Sequence, residues 1–344
     1  MTTLRLVFFA MIWGLTALPA SARAEALRVG WQVPWATEGQ IVMALKHTNI
    51  PQIVGSDLNF VGFTYGGPLN QAALAGNVDL LFTADQPALT LLDKSDQFKI
   101  VARLMYNRTC LYVPFNSALK RVADLKGKSI AGPIGAAAER NALDALGSAG
   151  IATTDIRITN LDMAQQAAII VANAGQSAWP NIDALFGFDP LPAIFEEKHL
   201  IRYLQCDRVV SVVLASKDVI QNRPDDLIKF LRGFLLAWYY YAQHGKEMNG
   251  LFAVESRLGA EDASLDAAAA IEPNRSATKI SDIRLTFVPD DYKVMDKALR
   301  FLVDRKVVDE AGNYRASVDL MPLQAALSWP DAMVAYLKVK LDTQ

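Results

Sequence analysis

The side chains with the clearest chemical use in this sequence are rings and carboxylates that directly follow short apolar runs. Trp31, Gln32, Trp35 and Glu38 come after Ala26-Leu-Arg-Val-Gly30. Tyr65, Gly66 and Gly67 come after Leu58–Phe63, and Thr83, Asp85 and Gln86 after Val78–Phe82. Further on, Gly132 to Ala137 follow Ser129–Ala131, and Gly187, Phe188 and Asp189 close the run Ile182–Phe186. The rings of Trp31, Trp35, Tyr65 and Phe188 can stack on a planar group or face a cation. Glu38, Asp85 and Asp189 can accept hydrogen bonds from an amine. A helix opening at Gly135-Ala136-Ala137 offers free backbone N–H groups to an anion. These types together fit an amine-bearing, zwitterionic or heteroaromatic solute better than a simple inorganic anion. Each residue also has a structural use, because Asp is routine at turns and caps and rings pack cores. For Asp189, which precedes Pro190, the functional use is favoured.

Signatures of catalysis do not accompany this set. The three histidines, His47, His199 and His244, do not form H-E-x-x-H. Glu196 and His199 share an i, i+3 spacing, but one such pair does not make a metal site, and a solvated helix face explains it. Neither a G-x-S-x-G elbow nor a Walker A loop is present. Gly132-x-x-Gly135 lacks the rest of a dinucleotide fingerprint. No cofactor and no catalytic residue is therefore expected, although triads assembled from distant positions leave little trace in a sequence.

The elements that must position the candidate residues alternate. Strands are predicted at Ala26–Gly30, Leu58–Phe63, Val78–Phe82, Ile100–Met105, Cys110–Pro114, Ser129–Ala131, Ile156–Ile158, Ile182–Phe186 and Val209–Ala215. Helices are predicted at Asn70–Ala75, Ala136–Leu146 and Met163–Ala172. The unbroken apolar run Val78–Phe82 suits a strand buried on both faces. Strands alternating with helices imply parallel α/β sheets, and two such runs imply two sheets, hence two lobes. In open α/β sheets ligands bind beyond the carboxyl ends of the strands, where the rings and carboxylates fall. After Pro224 the pattern turns helical: Leu227, Phe230, Leu231, Phe234, Leu235 and Trp238 recur at helical spacing, and Asp225 and Asp226 suit a first turn. That periodicity assigns Trp238-Tyr239-Tyr240-Tyr241 to packing rather than to a stacking platform. Pro289–Val303 and Pro322–Leu341 are further helical stretches.

Composition limits the partners. Of 344 residues, 34 are basic and 36 acidic, a near-balance without the electrostatic footprint of a nucleic-acid binder. Arg5, the apolar stretch Leu6–Leu18 and the small residues of Ala22-Arg23-Ala24 read as an export signal cleaved after Ala24. The stretch is shorter than the roughly 20 residues that span a bilayer, and no cysteine near Ala24 suggests a lipid anchor. A periplasmic protein, monomeric and free in solution, is the expectation. Export permits a Cys110–Cys206 disulfide, and two buried thiols are the alternative.

Several segments in order resemble a known family. Gly66-Gly67-Pro68-Leu69-Asn70-Gln71-Ala72-Ala73-Leu74-Ala75-Gly76-Asn77-Val78-Asp79 is similar to its glycine turn, helix and A-G-x-V-D strand entry. Val122-Ala123-Asp124-Leu125-Lys126-Gly127-Lys128-Ser129-Ile130-Ala131 is close to its D-L-K-G-K-x-I-A segment, and Ala145 to Ile151 and the helix opening at Pro224 follow. The family is that of the periplasmic solute-binding proteins of ABC importers for nitrate, sulfonates, taurine and thiamine-pyrimidine precursors. The resemblance runs from about residue 27 to 310. It implies a type II periplasmic binding fold, with one lobe from residues 25–110 and 208–344 and the other from 111–207. Crossover strands near Tyr106–Pro114 and Leu204–Val212 would form a hinge, which raises the prospect of the Cys110–Cys206 bond. It further implies closure on a small solute, release of that solute unchanged and docking on a membrane permease. Where the family often has Gly-Ser-x-x-His, this chain has Gly135-Ala136-Ala137-Ala138-Glu139, which argues against a sulfonate- or nitrate-type contact there. Two other readings compete. One is an enzyme on the same fold, of the pyrimidine-precursor or menaquinone-pathway type, and the other is a ligand-sensing partner of a membrane receptor.

Overall fold

Apolar segments of four to seventeen residues form the strands β1 (Leu27–Gln32), β2 (Leu58–Phe63), β3 (Leu80–Ala84), β4 (Phe98–Pro114), β5 (Ser129–Gly132), β6 (Arg157–Asn160), β7 (Ala184–Phe188) and β8 (Ile201–Ser216). They are seen in a computed structural model that describes residues 25–309 and 313–342. The expected export signal over residues 1–24, with its cleavage after Ala24, lies outside the described residues. The eight strands form one ladder in the order β2-β1-β3-β8-β4-β7-β5-β6. Parallel pairs β1–β2, β1–β3, β5–β6 and β5–β7 make up the two outer parts. At the centre β4 and β8 run antiparallel to each other, β8 antiparallel to β3 and β4 antiparallel to β7. Every residue of β3 and β7 is buried, as continuous apolar strands covered on both faces require.

The long central strands are the main departure from expectation. The predicted segments Ile100–Met105 and Cys110–Pro114 are one 17-residue strand. Val209–Ala215 likewise extends back to Ile201. The polar stretch Asn107-Arg108-Thr109 breaks the apolar pattern, yet the ladder continues through it as Asn107↔Val209, Arg108↔Arg208 and Thr109↔Asp207. What patterning suggested as two sheets is therefore two parallel halves hydrogen-bonded through a shared two-stranded ribbon. Register shifts at Ile100/Ala102, Arg103/Met105 and Leu111/Tyr112 bend that ribbon. Cys110 lies directly opposite Cys206, with Cα atoms 4.1 Å apart, and the two are joined by a disulfide. The register decides between the bonded and free readings.

Helices cover the sheet. The helix Pro224–Gln243 buries Leu227, Phe230, Leu231, Phe234, Leu235 and Trp238, and Tyr239, Tyr240 and Tyr241 are buried as well. Its aromatic run is packing, as its periodicity predicts, and Trp238 donates from Nε1 to the carbonyl of Leu104 at 3.1 Å. The stretch Pro322–Leu341 holds two short helices, Met321–Leu327 and Ala332–Tyr336.

A buried charge network fastens the C-terminal segment to β4. Arg103 donates to Glu272 at 2.6 and 3.2 Å, and both side chains are fully buried. The other Glu272 duties are acceptance from the Tyr106 and Asn274 backbone N–H groups, at 2.6 and 3.0 Å. Asp291, at the start of the helix Pro289–Asp304, accepts from the Tyr106 hydroxyl and from Arg284 at 2.6 Å. Removing one member leaves an uncompensated buried charge. Glu272→Ala is therefore expected to destabilise the protein by about 3–5 kcal/mol in urea unfolding. The disulfide closes a loop of 96 residues. In the chain-entropy account Cys110→Ser with Cys206→Ser lowers stability by about 4–5 kcal/mol, read by the same titration.

Candidate ligand-binding cleft

The loops beyond β1 and β3 face the loops beyond β5 and β7, and the first contacts across are short. The Ala36 N–H donates to the Asp189 carbonyl at 3.4 Å. The Trp35 ring meets that of Phe188 with centroids 5.6 Å apart and planes at 59°. Asp85 opens the helix Asp85–Lys94 beyond β3, and it binds Arg140 of the helix Ala137–Ser148 beyond β5, at 2.9 and 3.0 Å. On the floor, Gly132 lies against Phe186 so closely that a Cβ there would sit 2.3 Å from the Phe186 carbonyl oxygen. Glycine is what lets the β5–β7 edge close beneath the loops.

Buried polar atoms without a partner gather in this region. Trp35 Nε1, Glu38 Oε2, Thr83 Oγ1, Gln86 Oε1, Asn107 Oδ1 and Ser211 Oγ are among the described residues' unpaired buried atoms. Thr83, Ser211 and Asn107 come from the adjacent strands β3, β8 and β4. Buried polar groups are nearly always satisfied, so these exceptions make the region the candidate site. Thr37, between Ala36 and Glu38, is buried at φ 71°, a costly conformation for a β-branched residue, and its N–H donates to Gln40 Oε1 at 2.6 Å.

The carboxylates are more committed than their sequence positions imply. Both Asp85 oxygens are taken by Arg140. Asp189 is fully buried and accepts from Arg108 Nε at 2.7 Å and from the Ala193 N–H at 3.2 Å. Burial pushes the Asp189 carboxyl above its ordinary range, against the pull of the Arg108 charge. Glu38 is also fully buried, and burial raises its carboxyl well above the usual range, offset only in part by the Gln32 N–H at 2.5 Å. Glu38 is thus held toward its neutral form. None of the three stands as a free counter-charge for an amine.

The expected anion cradle is likewise occupied from within. The Gly135 N–H, at φ 86°, donates to Glu139 Oε2 at 2.7 Å, and the Ala136 N–H donates to the Pro133 carbonyl at 3.2 Å. Gly67, Gln86 and Gly135 do share a cavity of about 380 Å³ at the mouth between the two halves, with Leu74, Lys94 and Arg305 on its wall. Tyr65 caps the helix above Gly67, where a Cβ would come 2.8 Å from its ring. Trp31 stands apart: it is buried, with Lys46 Nζ 5.8 Å over its ring at the far end of the helix Glu38–His47. Its structural use prevails.

Sequence reasoning overlooked Arg108, Arg140, Asn107 and Ser211. The available signals were a polar triplet inside an apolar strand and one arginine in the alanine-rich segment Ala136–Ala145.

A family model described as NMT1/THI5 like matches residues 65–248, more than half of the chain. The chain belongs to the NMT1/THI5-like family. A relative in Escherichia coli (strain K12), described as binding aliphatic sulfonates, is 30% identical over 185 residues, which are 51% of this chain and 52% of that protein. The chain thus spans about half the length of that relative. The alkanesulfonate-binding protein SsuA of Xanthomonas axonopodis pv. citri, solved bound to MOPS, superposes with a TM-score of 0.67 at 19% identity, over 86% of this chain and 98% of that one. The desulfurization enzyme DSZB superposes at 0.61 with 13% identity, over 88% of this chain and 99% of that one. The NMT1/THI5-like chain therefore has the two-lobed α/β binding-protein fold, and that fold also serves an enzyme.

The state of Glu38 can be measured. Its folded pKa lies above the unfolded value of about 4.3, so the native state gains from protonation at low pH and loses stability as pH rises from there toward the folded pKa. Glu38→Gln keeps an acceptor for the Gln32 N–H without the charge. Its melting temperature is expected to exceed wild type near pH 7.5 and to match it near pH 4; an equal offset at both pH values contradicts the assignment.

Proposed function

We propose that this protein is the exported solute-binding component of an ABC importer, which closes two lobes over a small taurine- or sulfonate-like solute and hands it unchanged to a membrane permease. The lobes are residues 25–110 with 208–344, and 111–207, hinged on β4 and β8. The reading rests on one observation above others: unpaired buried donors on Trp35, Thr83 and Ser211 gather beside the buried Arg140–Asp85 pair and the half-buried Arg108–Asp189 pair at the facing ends of both halves. Hydroxyl, indole and guanidinium donors suit the oxygens of an anionic head group. With Asp85, Asp189 and Glu38 paired or neutralised, an amine has less to bind than the sequence suggested. The Trp35–Phe188 rings and the mouth wall around Leu74 suit an apolar or planar remainder. The sulfonate ligands named for the similar proteins point the same way.

A binding role is favoured over catalysis by what surrounds the cleft. Cys110 and Cys206 are bonded to each other, so neither is a free nucleophile. His199 packs tilted against Phe115 at 5.2 Å, and His244 stacks against Tyr240 at 4.1 Å.

A thermal-shift panel of taurine, ethanesulfonate, nitrate, sulfate, alkylamines and pyrimidines tests the reading. A true ligand at a hundredfold excess over its Kd stabilises by about 2.7 kcal/mol. Thr83→Val and Ser211→Ala are each expected to weaken taurine or ethanesulfonate binding about 10-fold or more, the worth of a hydrogen bond to a charged group. Stabilisation by amines alone sinks the ligand class. Conversion of the solute, seen by mass spectrometry, sinks the transport role.

A further inference from the structure

We infer that Asp85 is a built-in counter-anion that holds the cleft shut on Arg140 until the anionic group of a solute takes its place. The inference rests on the two-lobed cleft proposed above and adds an internal competitor to it. Asp85 belongs to the half containing β3, and Arg140 to the half containing β5. Their side chains are 0% and 1% exposed, and the contact is bidentate, Nη1 to Oδ1 at 2.9 Å and Nη2 to Oδ2 at 3.0 Å. Of the other ion pairs joining the same two halves, Arg108–Asp189 at 2.7 Å lies beside the β4–β7 pairing on the ribbon itself, with Arg108 25% exposed, and two more are peripheral. Arg305 reaches Glu139 at 3.7 Å, and Lys297 reaches Asp144 at 3.3 Å, with Arg305 and Lys297 38% and 45% exposed. Such exposed pairs contribute little in water. The bridge with weight is the buried one.

Its two partners are unequally provided for. If Arg140 withdraws, Asp85 keeps the Gln86 N–H at 2.7 Å and the start of its own helix, both suited to a carboxylate. Among the described residues, Arg140 keeps only Asn141 Oδ1 at 3.2 Å, and Asn141 in turn donates to Thr109. A guanidinium left buried with that one acceptor is strongly disfavoured, so it must reach water by opening or meet another anion in place. The asymmetry makes Arg140 the group that a solute satisfies and Asp85 the group that waits. It also assigns Asp85 a role other than the amine acceptor its position suggested. A protein closed on its own carboxylate binds solute more weakly than its contacts alone imply, because the binding-competent state is a fraction of the whole.

Two measurements on the full chain decide this. The first is small-angle scattering of the protein without added solute. Asp85→Asn keeps the shape of the side chain and the acceptor for the Gln86 N–H, and Arg140→Gln removes the other charge. Both are expected to increase the radius of gyration over wild type, and the inverted pair Asp85→Arg with Arg140→Asp to bring it back down. The second is calorimetric titration with ethanesulfonate: Asp85→Asn binds about fivefold tighter than wild type, while Arg140→Gln loses binding. Unchanged scattering in both single variants overturns the latch, and so does weaker ethanesulfonate binding in Asp85→Asn. If ethanesulfonate binds neither wild type nor Asp85→Asn, the proposed solute class fails, and the scattering still decides the latch.

Discussion

The ribbon formed by β4 and β8 carries the rest of the molecule. β8 extends the half-sheet of β3 and β4 extends that of β7, and the pairing of β4 with β8 joins the two. The pairing runs from Phe98↔Ser216 to Pro114↔Ile201 through three register shifts, with the Cys110–Cys206 bond in register along the way. A two-stranded ribbon is the least that can join two layered halves, and it twists and bends far more readily than a full sheet. The register shifts at its first-half end aim Arg103 and Tyr106 toward Glu272 and Asp291, which bolt the C-terminal segment to that half.

Polar residues in the middle of the ribbon follow from the same geometry. Asn107, Arg108 and Thr109 lie where the strands leave one core and enter the other, so they are paired as backbone but free to serve the cleft as side chains. Arg108 reaches Asp189, Thr109 meets Asn141, and Asn107 keeps an unpaired carbonyl oxygen. A strand wholly inside one core would leave these groups desolvated and unpaired, at a cost that apolar residues avoid. Their presence at the crossing places the ribbon beside the candidate cleft.

Charge inside the cleft is balanced in pairs, and that balance changes its chemistry. Three acids near strand ends suggest a cation site. Arg108 and Arg140 turn two of them into ion pairs, and burial holds the third toward neutrality. What remains available is a set of hydroxyl, amide and indole groups, with guanidinium charge behind them. That set is the ground for proposing an anionic head group rather than an amine.

Much of the architecture was legible in the chain itself. The short apolar runs, the Met163–Ala172 helix, the amphipathic helix after Pro224 and the family segments from Gly66 to Asp79 and Val122 to Ala131 are local patterns, and local patterns survive without knowledge of neighbours. The placement of Trp35, Thr83, Asp85, Phe188 and Asp189 at the carboxyl ends of strands was legible for the same reason. Tertiary structure alone decided that Ile100–Met105 and Cys110–Pro114 are one strand, because the pairing of Asn107 to Thr109 with β8 comes from residues some hundred positions away. It alone paired Cys110 with Cys206 and set Lys46 over the Trp31 ring. It alone matched Asp85 with Arg140, 55 residues apart, since the sign of a site's charge depends on which side chains the fold brings within hydrogen-bond reach.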